Sequence, residues 1–366
     1  MKLLFALNSM DVGGVQSGIM AFAEIVPSDI HIDVLNLTDK VGFHEEAFSK
    51  YGKVFHIKTL QGENRFSKTF SLLFNNLIIE KEFNRFLKNH KYDVIHSKSM
   101  AYSAVIVKVA KKHNIPVRVA QAHVDKPERL SPLHKFYYKK CSEIIEKCAT
   151  HKLSVSEKAA DLMFGKFGGQ VIKNPTISLK KFDRNKYVSS SHTGINLIQV
   201  GTYSKRKNQC FSAEILKELS DMGCDARLIF VGYTFDDLTY FEKVQAVVRD
   251  LRLSDKVVFL PKDTDMPRAL ADSDYMLLPS LREGLPNVAL EAQAMGVPVF
   301  LTDTIFRNTD CGLCVFLSLD KGPHAWAEEI VRYRQEKGAE KVYPDMTQWD
   351  NENVVKEYIK IWKNQN

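Results

Sequence analysis

Long apolar runs are missing from this sequence. The longest, such as residues 104–110 and 288–292, fall far short of the ~20 residues that a helix needs to cross a bilayer. Residues 1–7 are apolar enough to suggest a secretion signal, but Asn8 and Asp11 interrupt the run and no small-x-small site follows, so they are expected to be a buried first strand and the chain to stay in the cytoplasm. Cysteine is sparse: six residues, scattered, which reads as reduced, mostly buried thiols rather than a disulfide framework. Cys311-Gly-Leu-Cys314 has the spacing of half a zinc site, but no second pair completes four ligands. No low-complexity tract or internal repeat interrupts the chain, and no Gly-x-Gly-x-x-Gly follows a predicted strand with an acidic residue placed for a dinucleotide ribose, which argues against a dehydrogenase. Asp263-Thr-Asp265 is an isolated acidic pair; no metal is expected.

What is present is an ordinary globular balance, 45% hydrophobic and 26% charged over 366 residues. At roughly 100–200 residues per domain this suggests two domains. The net charge of +7 is unevenly spread: residues 1–185 hold 29 Lys/Arg against 18 Asp/Glu, a surplus of 11, and the rest hold 22 against 26, a deficit of 4. The basic half suits an anionic partner such as a membrane surface or an acidic acceptor; nucleic acid is not expected.

Short apolar runs alternate with helix-length segments. Residues 2–7, 32–37, 54–57, 94–96, 117–122 and 152–155 read as strands, with helices over 67–89 and 103–113 among those between them. The pattern then recurs, with strands at 195–200, 226–231, 257–259, 275–278 and 299–301 and helices at 208–221, 236–251 and 287–294. Such alternation predicts parallel, doubly wound sheets. The expected division is an acceptor-side domain over 1–185, a donor domain over 186–345, and a C-terminal helix within 346–366 that packs back toward the first domain.

Ligands of open parallel sheets bind beyond the carboxyl ends of the strands, and three segments at such ends stand out. The first runs from Leu278 through Pro-Ser-Leu-Arg to Glu283, Gly284, Leu285, Pro286 and Asn287, and on to Glu291. A strand, a loop and a helix start follow one another here; the free N–H groups and positive end of such a helix can hold a diphosphate, and the two carboxylates can accept hydrogen bonds from sugar hydroxyls. The second is Gly201-Thr202-Tyr-Ser-Lys205-Arg206-Lys207-Asn208, three consecutive cations at a helix start. The third is Gly13-Gly14 after the first strand, together with His123 after the 117–122 strand. His96 also ends a strand and is expected to pack or hydrogen-bond locally.

These motifs resemble the retaining glycosyltransferases of family four, which have the GT-B fold: two Rossmann-like, doubly wound α/β domains facing across a cleft. The resemblance spans nearly the whole chain. It rests on Pro-Ser-x-x-Glu-Gly-Leu-Pro with a second Glu, as in Pro279 to Glu291, on Gly13-Gly14-Val15-Gln16, Asp93-Val-Ile-His96, Ser154-Val-Ser-Glu157 and Asn174-Pro175, and on Val200-Gly201 with Lys207-Asn208. The run Glu291-Ala-Gln-Ala-Met-Gly296 resembles the branch that builds bacterial capsule or exopolysaccharide. The resemblance implies a nucleotide diphosphate sugar donor, carried by UDP, and a glycan or lipid-linked acceptor. It implies that Glu283 contacts the donor sugar, Glu291 the ribose, and Lys207 the diphosphate, and that the Gly13-Gly14 loop approaches the diphosphate and acceptor. It also implies that His123 lies near the reacting carbon, where it positions the acceptor or transfers a proton. The family has Arg where this chain has Thr202; either Arg206 or Lys205 substitutes for it, or Lys207 and the helix amides serve alone. A UDP-sugar epimerase of the same fold and a non-catalytic sugar-nucleotide-binding protein are the competing readings.

Overall fold

The computed structural model describes the chain except for residues 12, 61–64, 124–131, 188–191, 234–237, 284, 339–340 and 365–366, and the side chains of 65–73. It divides into two compact units, Met1–Thr176 with Trp349–Asn366, and Ile177–Gln348.

The first unit holds seven strands: β1 Lys2–Leu7, β2 His31–Asn36, β3 Val54–His56, β4 Val94–Ser97, β5 Val117–Ala122, β6 His151–Ser154 and β7 Gln170–Val171. They pair in parallel in the order β3-β2-β1-β4-β5-β6-β7. Leu3, Leu4, Phe5 and Ala6 of β1 are all buried, as expected of a central parallel strand covered on both faces. The second unit holds β8 Ile195–Val200, β9 Ala226–Val231, β10 Val257–Leu260, β11 Tyr275–Leu278, β12 Val299–Thr302 and β13 Cys314–Leu317, also parallel, in the order β10-β9-β8-β11-β12-β13. In both sheets the order reverses once, between β1 and β4 and between β8 and β11. Two doubly wound sheets of this kind are the two-domain α/β architecture expected from the alternating pattern.

The units divide nine residues earlier than position 185. Residues Leu179, Phe182 and Arg184 line one pocket with Tyr343, Pro344 and Met346, and the Arg184 guanidinium lies 4.0 Å from the centre of the Tyr343 ring. This apolar and cation–π packing ties residues 177–185 to the second unit. The chain then returns. The C-terminal helix, Asn351–Trp362, lays Val354, Val355, Tyr358 and Trp362 into the core of the first unit. Tyr358 and Trp362 meet Phe22 of the Gly14–Ile25 helix at ring distances of 4.8 and 5.2 Å.

Candidate active site

In the second unit, the two segments singled out above leave β8 and β11, the neighbouring strands where the sheet order reverses. That is where an open parallel sheet leaves room for a ligand between two divergent loops. The backbone joins them: Leu281 N–H donates to the Arg206 carbonyl at 2.8 Å. The loop after β8 needs glycine. Gly201 has φ 149°, and a Cβ there would sit 3.1–3.5 Å from the Lys207 side chain. A Cβ on Gly232, just after β9, would lie 2.1 Å from the Gly201 carbonyl oxygen. Asn208 takes the left-handed conformation (φ 57°) that turns the loop into the Gln209–Asp221 helix, a conformation that Asn adopts more readily than most residues.

Lys207 and Arg206 converge on Glu283. Lys207 Nζ lies 2.6 Å from Glu283 Oε1, and Arg206 donates to Oε2 at 2.9 Å. Glu283 and Lys207 are nearly buried, with side-chain exposures of 7% and 11%, whereas Arg206 is about half exposed. Two cations on one carboxylate leave a surplus positive charge at the strand ends. Removing either member of a buried pair leaves an uncompensated charge, at a cost of about 3–5 kcal/mol. Gln199 anchors the loop from below by donating to the Lys207 carbonyl at 2.7 Å. At Thr202, the departure from the family pattern, the carbonyl accepts from Gln209 Nε2 at 3.0 Å; Lys205 is exposed.

Leu285, Pro286 and Asn287 carry the chain into the Asn287–Ala294 helix, which no side chain caps; Gly284 lies outside the described residues. Glu291 is partly buried in that helix, among the buried Ala289, Leu290, Ala292 and Gln293. Burial pushes its carboxyl up to about 7, opposed by Lys181. Of the remaining acidic candidates, Asp265 is an N-cap, its side chain accepting from the Arg268 N–H. Among the described residues no cluster of three His, Cys, Asp or Glu is placed to hold a metal ion.

The other candidates lie in the first unit. Gly13, extended (φ 173°), precedes the Gly14–Ile25 helix and occupies its uncapped N-terminal position. His123 follows β5, and its Nδ1 lies 3.1 Å from Asn174 Nδ2. Its Nε2 is buried with no hydrogen-bond partner among the described residues. Burial, reinforced by Lys98, holds its imidazole well below the usual histidine range. His96 packs, against the rings of Phe5, Tyr358 and Trp362, but its hydrogen-bond partners are distant in sequence: Gln121 and Trp362, 25 and 266 residues away. Sequence reasoning passed over Lys98 and Gln121. Lys98 is nearly fully buried, donates to Gln121 at 2.7 Å, and is pushed down to about 7 by that burial. Its only signal was a lysine two residues past the quoted Asp93 to His96 run.

Switch-point loops that gather cations, a carboxylate and an uncapped helix start have the make-up of an anion-binding site at the carboxyl edge of a Rossmann-like sheet. Residues 194–336 match the family described as glycosyl transferases group 1. EpsF of Bacillus subtilis (strain 168), which carries a glycosyltransferase name, is 25% identical over 355 residues, covering 90% of this chain and 87% of EpsF. The capsular polysaccharide biosynthesis glycosyltransferase CapH of Staphylococcus aureus is 23% identical, covering 90% and 89%. A UDP-Gal:alpha-D-GlcNAc-diphosphoundecaprenol alpha-1,3-galactosyltransferase of Escherichia coli is 25% identical over 61% of each chain. Among solved structures, Anabaena HepE in complex with UDP shares the fold with a TM-score of 0.70 at 15% identity, covering 100% of this chain and 98% of HepE. The chain thus has the two-sheet fold of HepE over its whole length, and within its second unit it is similar to the glycosyl transferases group 1.

Proposed function

We propose that the protein is a retaining hexosyltransferase that moves a sugar from a UDP-sugar to a glycan or lipid-linked acceptor during polysaccharide assembly. The observation that carries this reading is the convergence of Lys207 and Arg206 on Glu283 at the β8/β11 switch point, beside an uncapped helix N-terminus. In the absence of ligand the Glu283 carboxylate is the counter-ion of both cations. A bound diphosphate takes over that pairing through charge-assisted contacts and frees Glu283 to accept hydrogen bonds from the donor sugar. Glu291, one helix turn further in, accepts from the ribose hydroxyls. Front-face attack by the acceptor, with the departing phosphate taking its proton, gives retention; the cations stabilise the charge that develops on that phosphate. UDP in the HepE complex and the diphosphoundecaprenol acceptor in the name of the E. coli relative support the choice of donor and acceptor classes.

Calorimetry with UDP tests the division of labour. Glu291→Ala is expected to weaken UDP binding by about tenfold or more, ~1.4 kcal/mol or above. Glu283→Ala is expected to retain UDP affinity, because its cations become free for the diphosphate, and to lose turnover. Equal loss of UDP affinity in both variants contradicts the assignment. Because Lys207 and Arg206 supply the positive charge, sugar transfer is expected to survive EDTA; loss on chelation with recovery on adding manganese or magnesium would assign that charge to a metal.

A further inference from the structure

The first unit contains a line of buried polar side chains whose hydrogen-bond directions follow from one another. It starts at Trp362 in the C-terminal helix. An indole N–H can only donate, and Trp362 Nε1 lies 3.2 Å from His96 Nδ1. His96 Nδ1 is therefore the acceptor, and the hydrogen of this neutral ring sits on Nε2, which lies 2.9 Å from Gln121 Oε1. Lys98, a donor only, reaches the same oxygen at 2.7 Å. Two independent donors thus fix the Gln121 amide with its oxygen toward β4 and its nitrogen the other way. That nitrogen donates to the Tyr358 hydroxyl at 2.6 Å and lies 3.4 Å from Asn174 Oδ1, to which the Tyr358 hydroxyl is also directed at 3.5 Å. The Asn174 oxygen is the accepting end, so its amide nitrogen faces His123 Nδ1 at 3.1 Å as donor.

We propose that this one-way relay from the C-terminal helix sets the tautomer of His123, placing the ring hydrogen on Nε2 so that His123 serves the transfer site as a hydrogen-bond donor to a substrate oxygen rather than as a base. Asn174, Gln121 and Trp362 are the positioning residues. The inference rests on the reading of His123 as a residue of that site. The surroundings agree with it. The ring keeps its neutral form because burial and the neighbouring Lys98 both oppose a second proton. Lys98 is packed against three aromatic rings, Phe5, Phe22 and Tyr358, at 5.3–5.6 Å, and so holds its place as the second donor to Gln121. The one imidazole nitrogen left over, His123 Nε2, is buried and has no partner among the described residues. A buried donor without a partner costs about 1–3 kcal/mol, and a sugar hydroxyl or phosphate oxygen would satisfy it.

The test is 15N-histidine labelling of the full chain, with two-bond proton–nitrogen correlations to distinguish the two tautomers and His123→Gln to assign the resonance. The wild type is expected to show His123 as the Nε2–H form. Asn174→Asp reverses the last link, since a carboxylate only accepts, and is expected to move the hydrogen to Nδ1. Trp362→Phe keeps a buried ring but removes the first donor, and is expected to give a mixture of forms at His96. Lys98 still holds the Gln121 amide in that variant, so His123 is expected to stay Nε2–H there; should Asn174→Asp fold poorly, the wild-type spectrum still decides, since an Nδ1–H form of His123 contradicts the relay. UDP release from UDP-glucose or UDP-galactose is expected to fall about tenfold or more in Asn174→Asp, with UDP affinity unchanged. An Nδ1–H signature at His123 in the wild type, or an unaltered Nε2–H signature in Asn174→Asp, overturns the proposal. The spectra need no substrate, so a failure of the UDP-sugar reading, seen as absence of UDP binding by calorimetry, is a separate result.

Discussion

Glu291 combines two demands that pull against each other. To accept from a ribose it must be ionised; to sit in the Asn287–Ala294 helix among buried neighbours it must lose water. The second demand pushes its carboxyl up to about 7 from an ordinary value of 4.5. The folded protein therefore holds a proton there that the unfolded chain gives up at lower pH. Between pH ~4.5 and ~7 the unfolded state ionises first, so this group's contribution to stability falls as pH rises and stays low above pH 7. Glu291→Gln removes that penalty. The variant is expected to be more stable than the wild type at pH 8, by about 1–3 kcal/mol, and no more stable at pH 4, while binding UDP more weakly at pH 8, where the wild-type carboxylate is ionised, and about equally at pH 4. Thermal melts at the two pH values, with and without UDP, check both halves. A gain of stability at pH 4 as large as that at pH 8 would detach the effect from the carboxyl.

At the scale of strands and loops, the proposed donor site depends on two loops pressed against each other with no space for a side chain. Gly232 follows β9, Gly201 follows β8, and a Cβ at position 232 would lie 2.1 Å from the Gly201 carbonyl oxygen. The obstruction is backbone, so it cannot be relieved by a rotamer change. Gly232→Ala is expected to shift the 201–208 loop, destabilise the second unit by about 1–3 kcal/mol as overpacking does, and weaken UDP binding. Gly223→Ala is a control for glycine loss as such: Gly223 has a positive φ of 78° but open space around it, so it is expected to cost some stability and leave UDP affinity unchanged. Most of this layer was legible in the sequence, because buried parallel strands are unbroken apolar runs and the loops that follow them carry glycine and charge. The central strands read from the chain lie within a residue or two of those observed. The edge strands Gln170–Val171 and Cys314–Leu317 were not legible: one is two exposed residues, and the other is only half buried. The pairing of Lys207 with Glu283 and the Trp362-to-His123 relay were not legible either. They join residues 23 to 266 positions apart, and no local pattern records which distant strand ends will meet.

For the molecule as a whole, the uneven charge follows the division into units. The first unit carries 29 Lys/Arg against 20 Asp/Glu, a surplus of 9, and the second 22 against 24, a deficit of 2. No described helix is long and apolar enough to cross a membrane; with the lipid-linked acceptor proposed above, the enzyme is expected to meet its substrate at a membrane surface. One side of the Pro132–Cys148 helix of the basic unit has the exposed apolar and basic side chains that such a contact would use. Leu133 and Phe136 are more than half exposed, Lys135, Lys139 and Lys140 are exposed around them, and Lys140 Nζ lies 5.7 Å from the Phe136 ring centre. The next two aromatic residues do not join this face. Tyr137 and Tyr138 are partly buried against the core, and Tyr137 accepts a hydrogen bond from Asn76 on the neighbouring Arg65–Asn89 helix. That neighbour adds two more exposed apolar side chains, Phe74 and Leu77. Lys126 and Arg129, two further basic residues shortly before this helix, lie outside the described residues. Lysines near an anionic surface contribute about 1 kcal/mol each, and an aromatic ring favours the interfacial layer. Binding to vesicles containing phosphatidylglycerol is therefore expected, with release as salt shortens the reach of the charges. Replacing Lys135, Lys139 and Lys140 together by Glu changes six units of charge on that face. The change is expected to abolish cosedimentation while leaving UDP affinity untouched, because the cations proposed for UDP are Lys207 and Arg206 of the other unit. Phe136→Ser is expected to weaken vesicle binding without altering its salt dependence. Cosedimentation indifferent to salt and to the lysines would assign the basic surplus to another anionic partner, such as the glycan acceptor itself.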